Sequence, residues 1–117
     1  MKKTAAYLGI ALLLLVGCSK GAEYNEFAQC LSDNEAKFYG AFWCPHCASQ
    51  KNLFGSSMEN VDYIECSLPD RSGQTQICED AGIKAYPTWE FKDGKKIEGQ
   101  LSLLQLSQLT GCRLPPN

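Results

Sequence analysis

Tyr24, Phe27, Ala28 and Leu31 recur at helical spacing with polar residues between them, so Tyr24 to Asp33 predicts a short amphipathic helix. Lys37 to Trp43, KFYGAFW, is aromatic and apolar without a helical stripe and predicts a buried strand. Pro45 suits the first turn of a helix, where its missing N–H costs no intrahelical bond, and HCASQKNLF carries that helix to about Gly55. From Val61 to Cys66 the pattern alternates, with Ile64 and Cys66 on one face and Val61 and Tyr63 on the other, which predicts a second strand. SLPDRSG is a loop by its turn chemistry, and a helix from about Gln74 to Ala81 ends at Gly82. TWEF and KIEG are short strands around KDGK, where Asp93-Gly94 predicts a type I′ hairpin. Ser102 and Gln105 form a capping box for a last helix carrying Leu103, Leu104, Leu106 and Leu109, closed by Gly111. The order is a leading helix and then β-α-β-α-β-β-α. Strand, helix, strand implies a parallel crossover and the hairpin an antiparallel pair, so an α/β class with a mixed central sheet and helices on both faces is expected.

The first residues have a different character. Lys2 and Lys3 precede a short apolar run from Ala5 to Val16, the pattern of an export signal. The run is shorter than the roughly 18 to 20 residues needed to span a bilayer. LVGC, ending at Cys18, resembles the bacterial lipobox, whose cysteine takes a diacylglyceryl thioether and becomes the mature N-terminus; an ordinary secretory signal cut nearby is the alternative. Residues 1–17 are then a lipoprotein signal peptide, 18–22 a lipidated N-terminus with a short tether, and 23–117 one domain. Two or more acyl chains on Cys18 anchor stably where one chain binds marginally. The expected location is extracytoplasmic and membrane-anchored, on the periplasmic side if the cell is Gram-negative. Removing residues 1–17 takes two of the 11 basic side chains and leaves 9 against 13 acidic ones, a formal charge of −4. No basic surface for nucleic acid is implied.

Seven cysteines in 117 residues are the compositional outlier, and they point to an oxidising compartment or to metal. Cys44 and Cys47 form a C-x-x-C pair between the first strand and the helix begun by Pro45. At a helix start the first sulfur meets unsatisfied N–H groups and the positive end of the macrodipole, which favour the thiolate. Cys44 is therefore the expected reactive thiol. His46 adds an imidazole that can pair with that thiolate and make the disulfide form a better oxidant. Zinc on Cys44, Cys47, Cys66 and Cys78 is disfavoured because the second pair lacks knuckle spacing, and covalent haem because Ala48 follows Cys47. Neither a metal nor a cofactor is expected, although Cys44, His46 and Cys47 suit soft copper(I) as an alternative.

FWCPHC followed by a helix, with GIKAYPTWEF some 40 residues on, resembles the thioredoxin superfamily, and the match covers nearly all of Tyr24 to Cys112 in element order. More narrowly, YGAFWCPHC, YIEC and AGIKAYPTWEF resemble the thioredoxin-like domain associated with bacterial vitamin K epoxide reductase homologues. C-P-H-C is also the tetrapeptide of the DsbA type of periplasmic oxidase, whose large helical insertion is absent here. The resemblance implies a thioredoxin fold, Cys44 as attacking and attacked sulfur, Cys47 as resolving sulfur, Pro87 as a cis proline, and Trp43, Tyr86 and Thr88 as substrate-binding residues beside them. It also implies a quinone-linked membrane enzyme of the vitamin K epoxide reductase type as partner. One departure stands out: thioredoxins carry a buried acid six positions before the first cysteine, where this chain has Phe38.

The remaining Cys30, Cys66, Cys78 and Cys112 suit two structural disulfides, for which three connectivities exist. Cys66 with Cys78 is favoured because it brackets the loop after the second strand, and the narrower resemblance suggests a bridge there. Cys30 with Cys112 then ties the leading helix to the C-terminal tail. The expected activity is that of an extracytoplasmic thiol-disulfide oxidoreductase, an oxidase or isomerase acting on exported proteins. The alternatives are a membrane-linked reductase, a copper(I)-handling lipoprotein and an inert structural lipoprotein.

Overall fold

The computed structural model of the chain describes residues 22–116, so the predicted signal segment and Cys18 lie outside the described residues. Strands β1 (Lys37–Gly40), β2 (Asp62–Glu65), β3 (Thr88–Glu90) and β4 (Lys96–Glu98) form one sheet in the order β2-β1-β3-β4. β1 runs parallel to β2, with Phe38 opposite Tyr63, and antiparallel to β3, with Phe38 opposite Trp89. β3 and β4 pair antiparallel. The helices are α1 (Asn25–Asp33), α2 (Pro45–Phe54), α3 (Gln76–Asp80) and α4 (Leu103–Thr110). This mixed α/β architecture is consistent with a thioredoxin-like fold.

Neighbouring residues on a strand point to opposite faces, and β1 shows what that does to the core. Phe38 belongs to the larger apolar cluster with Trp89, with Phe27 and Leu31 of α1, Phe54 of α2 and Leu106 of α4. Tyr39 belongs to a smaller one with Cys66, Cys78 of α3 and Ile83. Helices therefore cover both faces. β2 repeats the alternation, with Tyr63 packed on the first cluster and Ile64 on the second. Gln50 is fully buried in α2 and satisfied on both ends: its Oε1 accepts from Trp89 Nε1 and the Leu101 N–H, and its Nε2 donates to the Leu101 carbonyl. That bond set fixes α2 to the segment leading into α4.

Several elements depart from the sequence pattern. β1 stops at Gly40 rather than Trp43, because the Cys44 N–H bonds back to the Ala41 carbonyl at 3.0 Å and the chain turns. Phe42 and Trp43 are consequently 49% and 43% exposed instead of buried in a strand. α3 starts at Gln76, since Gln74 pairs with Ser67 in an isolated bridge and Thr75 holds the cap position in extended conformation. A 3-10 segment, Gly55–Asn60, joins α2 to β2. The β3–β4 loop is not type I′: among Lys92, Asp93 and Gly94 only Gly94 has positive φ, +84°. Its N–H donates to the Phe91 carbonyl, the Phe91 N–H donates to Lys95, and Asp93 Oδ1 accepts from the Lys95 N–H. This is the three-residue hairpin loop, in which a single left-handed residue follows an ordinary turn. The Ser102–Gln105 capping box is present in full at the start of α4.

Candidate active site

Pro45 is the first residue of α2 and Cys44 its N-cap, in extended conformation, so the Cys44 sulfur faces the free N–H groups of the first turn. It accepts the Cys47 N–H at 3.2 Å. The turn that ended β1 leaves Cys44 at the edge of the core, 6% exposed, whereas Cys47 is fully buried. Both are free thiols. Burial first, and then the hydrogen bond to Cys44, push the Cys47 thiol up to about 12.

The buried sulfur needs room, and Gly40 provides it. A Cβ there would lie 3.1 Å from Cys47 Sγ and 2.9 Å from Cε2 of Tyr63, closer than packed atoms allow. Sequence reading missed this residue. A glycine inside an aromatic strand is the signal that could have found it, since it marks close approach by another group.

Opposite the helix start, the Tyr86-Pro87 peptide bond is cis. The Tyr86 carbonyl oxygen lies 3.7 Å from Cys44 Sγ and accepts its S–H. Pro87 is buried. Thr88, expected among substrate contacts, is also buried, and its hydroxyl donates to the Ala85 carbonyl at 2.7 Å. Its side chain braces the turn from behind and does not reach the surface.

Trp43 packs edge-on against Tyr86, ring centroids 5.9 Å apart, and its indole N–H donates to Ser67 Oγ at 2.7 Å. Phe42 lies under the Arg71 guanidinium, 5.4 Å from ring centroid to carbon. Ser67 and Arg71 belong to the loop between β2 and α3, and the Cys66–Cys78 disulfide closes that loop. The second disulfide joins Cys30 of α1 to Cys112. His46 is exposed on the first turn of α2, and no hydrogen bond joins its ring to either sulfur. Among the described residues no group of three or more His, Cys, Asp or Glu side chains is placed to hold a metal ion, and no helix is long and apolar enough to cross a membrane.

Fold and site together define a thioredoxin-like arrangement, a C-x-x-C dithiol at a helix start facing a cis-proline turn. No family model matches the chain. Among curated proteins it is similar to the thiol-disulfide oxidoreductase LTO1 of Arabidopsis thaliana, with 40% identity over 91 residues. The matched region covers 74% of this chain and 24% of the relative, so the chain corresponds to about a quarter of that protein's length.

Proposed function

We propose that the protein is an extracytoplasmic thiol-disulfide oxidoreductase that forms or rearranges disulfides in exported proteins. The observation that carries this reading is the inequality of the two sulfurs: Cys44 caps α2 at the edge of the core beside the cis turn, with a little exposure left, and Cys47 is sealed behind it. The similarity to a protein named for thiol-disulfide exchange supports the same chemistry.

In the oxidised protein a substrate thiolate attacks Cys44 Sγ. The Cys44–Cys47 bond breaks, its electron pair leaves on Cys47, and a mixed disulfide forms. A second substrate thiolate attacks the substrate sulfur of that mixed disulfide and expels Cys44, which the first-turn N–H groups stabilise as a thiolate. The substrate dithiol is oxidised by two electrons and the Cys44–Cys47 pair reduced by two. If the second thiolate is slow, Cys47 attacks Cys44 and returns the substrate unoxidised; rearrangement starts instead from the reduced protein, whose Cys44 thiolate opens a substrate disulfide and is expelled when another substrate thiolate closes a new one. Reoxidation falls to a quinone-linked membrane enzyme of the vitamin K epoxide reductase type, with acylated Cys18 holding the domain at the bilayer. The backbone of Tyr86 lines the approach to Cys44 and Trp43 walls it. His46 faces the incoming thiolate and tunes the Cys44 potential.

Trapping tests the reading. Cys47→Ala should accumulate exported proteins as reducible adducts on Cys44, mapped by mass, and Cys44→Ala should accumulate few. Equal trapping by both variants, or adducts on Cys66 or Cys78, would reject it.

A further inference from the structure

Opening the Cys44–Cys47 bond leaves its electron pair on a sulfur that has no exposed surface, and Phe38 occupies the strand position from which thioredoxins present a carboxylate. Its ring stacks on Trp89 at 5.1 Å and meets Tyr63 edge-on at 4.9 Å, so β1 offers Cys47 no polar side chain. The polar groups come from α2 and β2 instead. Tyr63 and Cys47 are neighbours across Gly40, their Cε2 and Sγ atoms 2.9 Å and 3.1 Å from where a Cβ there would lie. Lys51 follows Cys47 by four residues, one turn along the same face of α2. Its ammonium sits over the Tyr63 ring, 4.0 Å from the centroid. Glu65 is committed on both oxygens, one to the Tyr63 hydroxyl at 3.0 Å and the other to the Ser67 N–H at 2.9 Å. Lys51 is thus the uncommitted charge of the group.

We propose that Lys51, seated on the face of Tyr63, is the positioning cation that holds Cys47 as a thiolate when the Cys44–Cys47 bond opens, replacing the carboxylate that Phe38 displaces. The proposal rests on the exchange reaction put forward above. A substrate thiolate bonds to Cys44 Sγ, the intramolecular S–S bond breaks, and the pair of electrons resides on Cys47 until it attacks Cys44 again or takes a proton from solvent. A cation on an aromatic face is held by the ring quadrupole and not by the phenol hydroxyl. The ring is therefore the seat, and the Tyr63–Glu65 hydrogen bond only orients it. Among the described residues, the ionisable groups acting on Cys47 are Cys44 and Lys51, with Tyr63 nearby and Glu65 bonded to its hydroxyl.

The experiment uses the full chain carrying Cys44→Ala and follows the thiolate fraction of Cys47 by its alkylation rate, located by mass, between about pH 6 and about pH 9, where a lysine keeps its charge. Lys51→Met and Lys51→Gln should each move the Cys47 titration to higher pH, and Lys51→Arg should restore it. Tyr63→Leu should reproduce the Lys51→Met shift, while Tyr63→Phe, which keeps the ring, should stay near the parent curve. With Cys44 present, Lys51→Met should also slow release of Cys47 in stopped-flow exchange several-fold without changing how the dithiol is alkylated at Cys44. Coincident titrations for Lys51→Met, Lys51→Gln and the parent would overturn the proposal. So would a Tyr63→Phe curve that follows Tyr63→Leu, which would assign control to the hydroxyl and Glu65. The titration needs no substrate, so it separates this role from the oxidoreductase reading: a parent protein that exchanges no disulfides would sink the latter and leave the Lys51 shift standing.

Discussion

Cys44–Cys47 and Cys66–Cys78 lie close together in the fold, on either side of Ser67 and Trp43, and differ in kind. Burial alone does not separate them, because Cys47 is as buried as Cys66 and Cys78. What separates them is asymmetry. One sulfur of the first pair caps a ten-residue helix at the edge of the core, 6% exposed, and accepts a backbone N–H, so charge can develop there. The second pair is sunk at both ends in the cluster around Tyr39 and Ile83, with Cys78 in the middle of the five-residue α3. An attacking thiolate would have to enter the core to reach it. Identical residues become a reagent or a staple according to whether one partner is placed where a negative charge is tolerated and accessible.

The largest effect expected from this contrast is loss of exchange. Cys44→Ala should abolish reduction or oxidation of a fluorescent dithiol substrate, while replacing Cys66 and Cys78 by alanine should leave the Cys44 alkylation rate within the same order of magnitude. Substantial exchange by the Cys44→Ala protein would erase the distinction. Next come the two disulfides themselves. Their sequence separations of 82 and 12 residues correspond in the chain-entropy model to about 4.5 kcal/mol for Cys30–Cys112 and about 3 kcal/mol for Cys66–Cys78. Denaturant unfolding of the two double-alanine variants should rank them in that order. A reversed order would mean that core burial around Cys66 outweighs loop closure.

A smaller loss is expected at the space that keeps Cys47 buried. Gly40→Ala places a methyl against the Tyr63 ring and the Cys47 sulfur and should cost about 1–3 kcal/mol by overpacking, read from the unfolding midpoint in urea. No change would mean that the ring and sulfur shift freely. The smallest effect is at the link between the two pairs. Trp43→Phe keeps an aromatic wall but removes the bond to Ser67 and should cost about 1 kcal/mol, with Cys44 alkylation unchanged. Calorimetry of the variant beside Ser67→Ala would show whether both lose the same bond.

Features written in a few consecutive residues were legible in the sequence. The capping box needs only Ser102 and Gln105, and the start of α2 needs only Pro45 behind a cysteine. The alternation of Val61, Tyr63, Ile64 and Cys66 assigned each residue to the face it occupies. Features set by a distant partner were not. Phe42 and Trp43 have the composition of core, and only the Arg71 and Ser67 side chains of another loop show why they stand on the surface. The hairpin loop was misread because Asp93 uses its carboxylate to accept the Lys95 N–H, which closes the turn without a second left-handed residue. Lys51 and Tyr63 looked like an ordinary helix cation and strand aromatic, since nothing local records that they meet.

Tyr86 packs against both apolar clusters. Its carbonyl takes the Cys44 S–H, its ring abuts Trp43, and its hydroxyl accepts from Gln74 Nε2 at 2.7 Å. Gln74 lies within the segment closed by Cys66 and Cys78, so one side chain joins the stapled loop to the Cys44 sulfur. For anyone redesigning this scaffold, position 86 is a keystone. A graft that exchanges the loop between Cys66 and Cys78 must supply a new donor for that phenol, or the altered loop will be felt at Cys44 even though no residue near the sulfur has been touched.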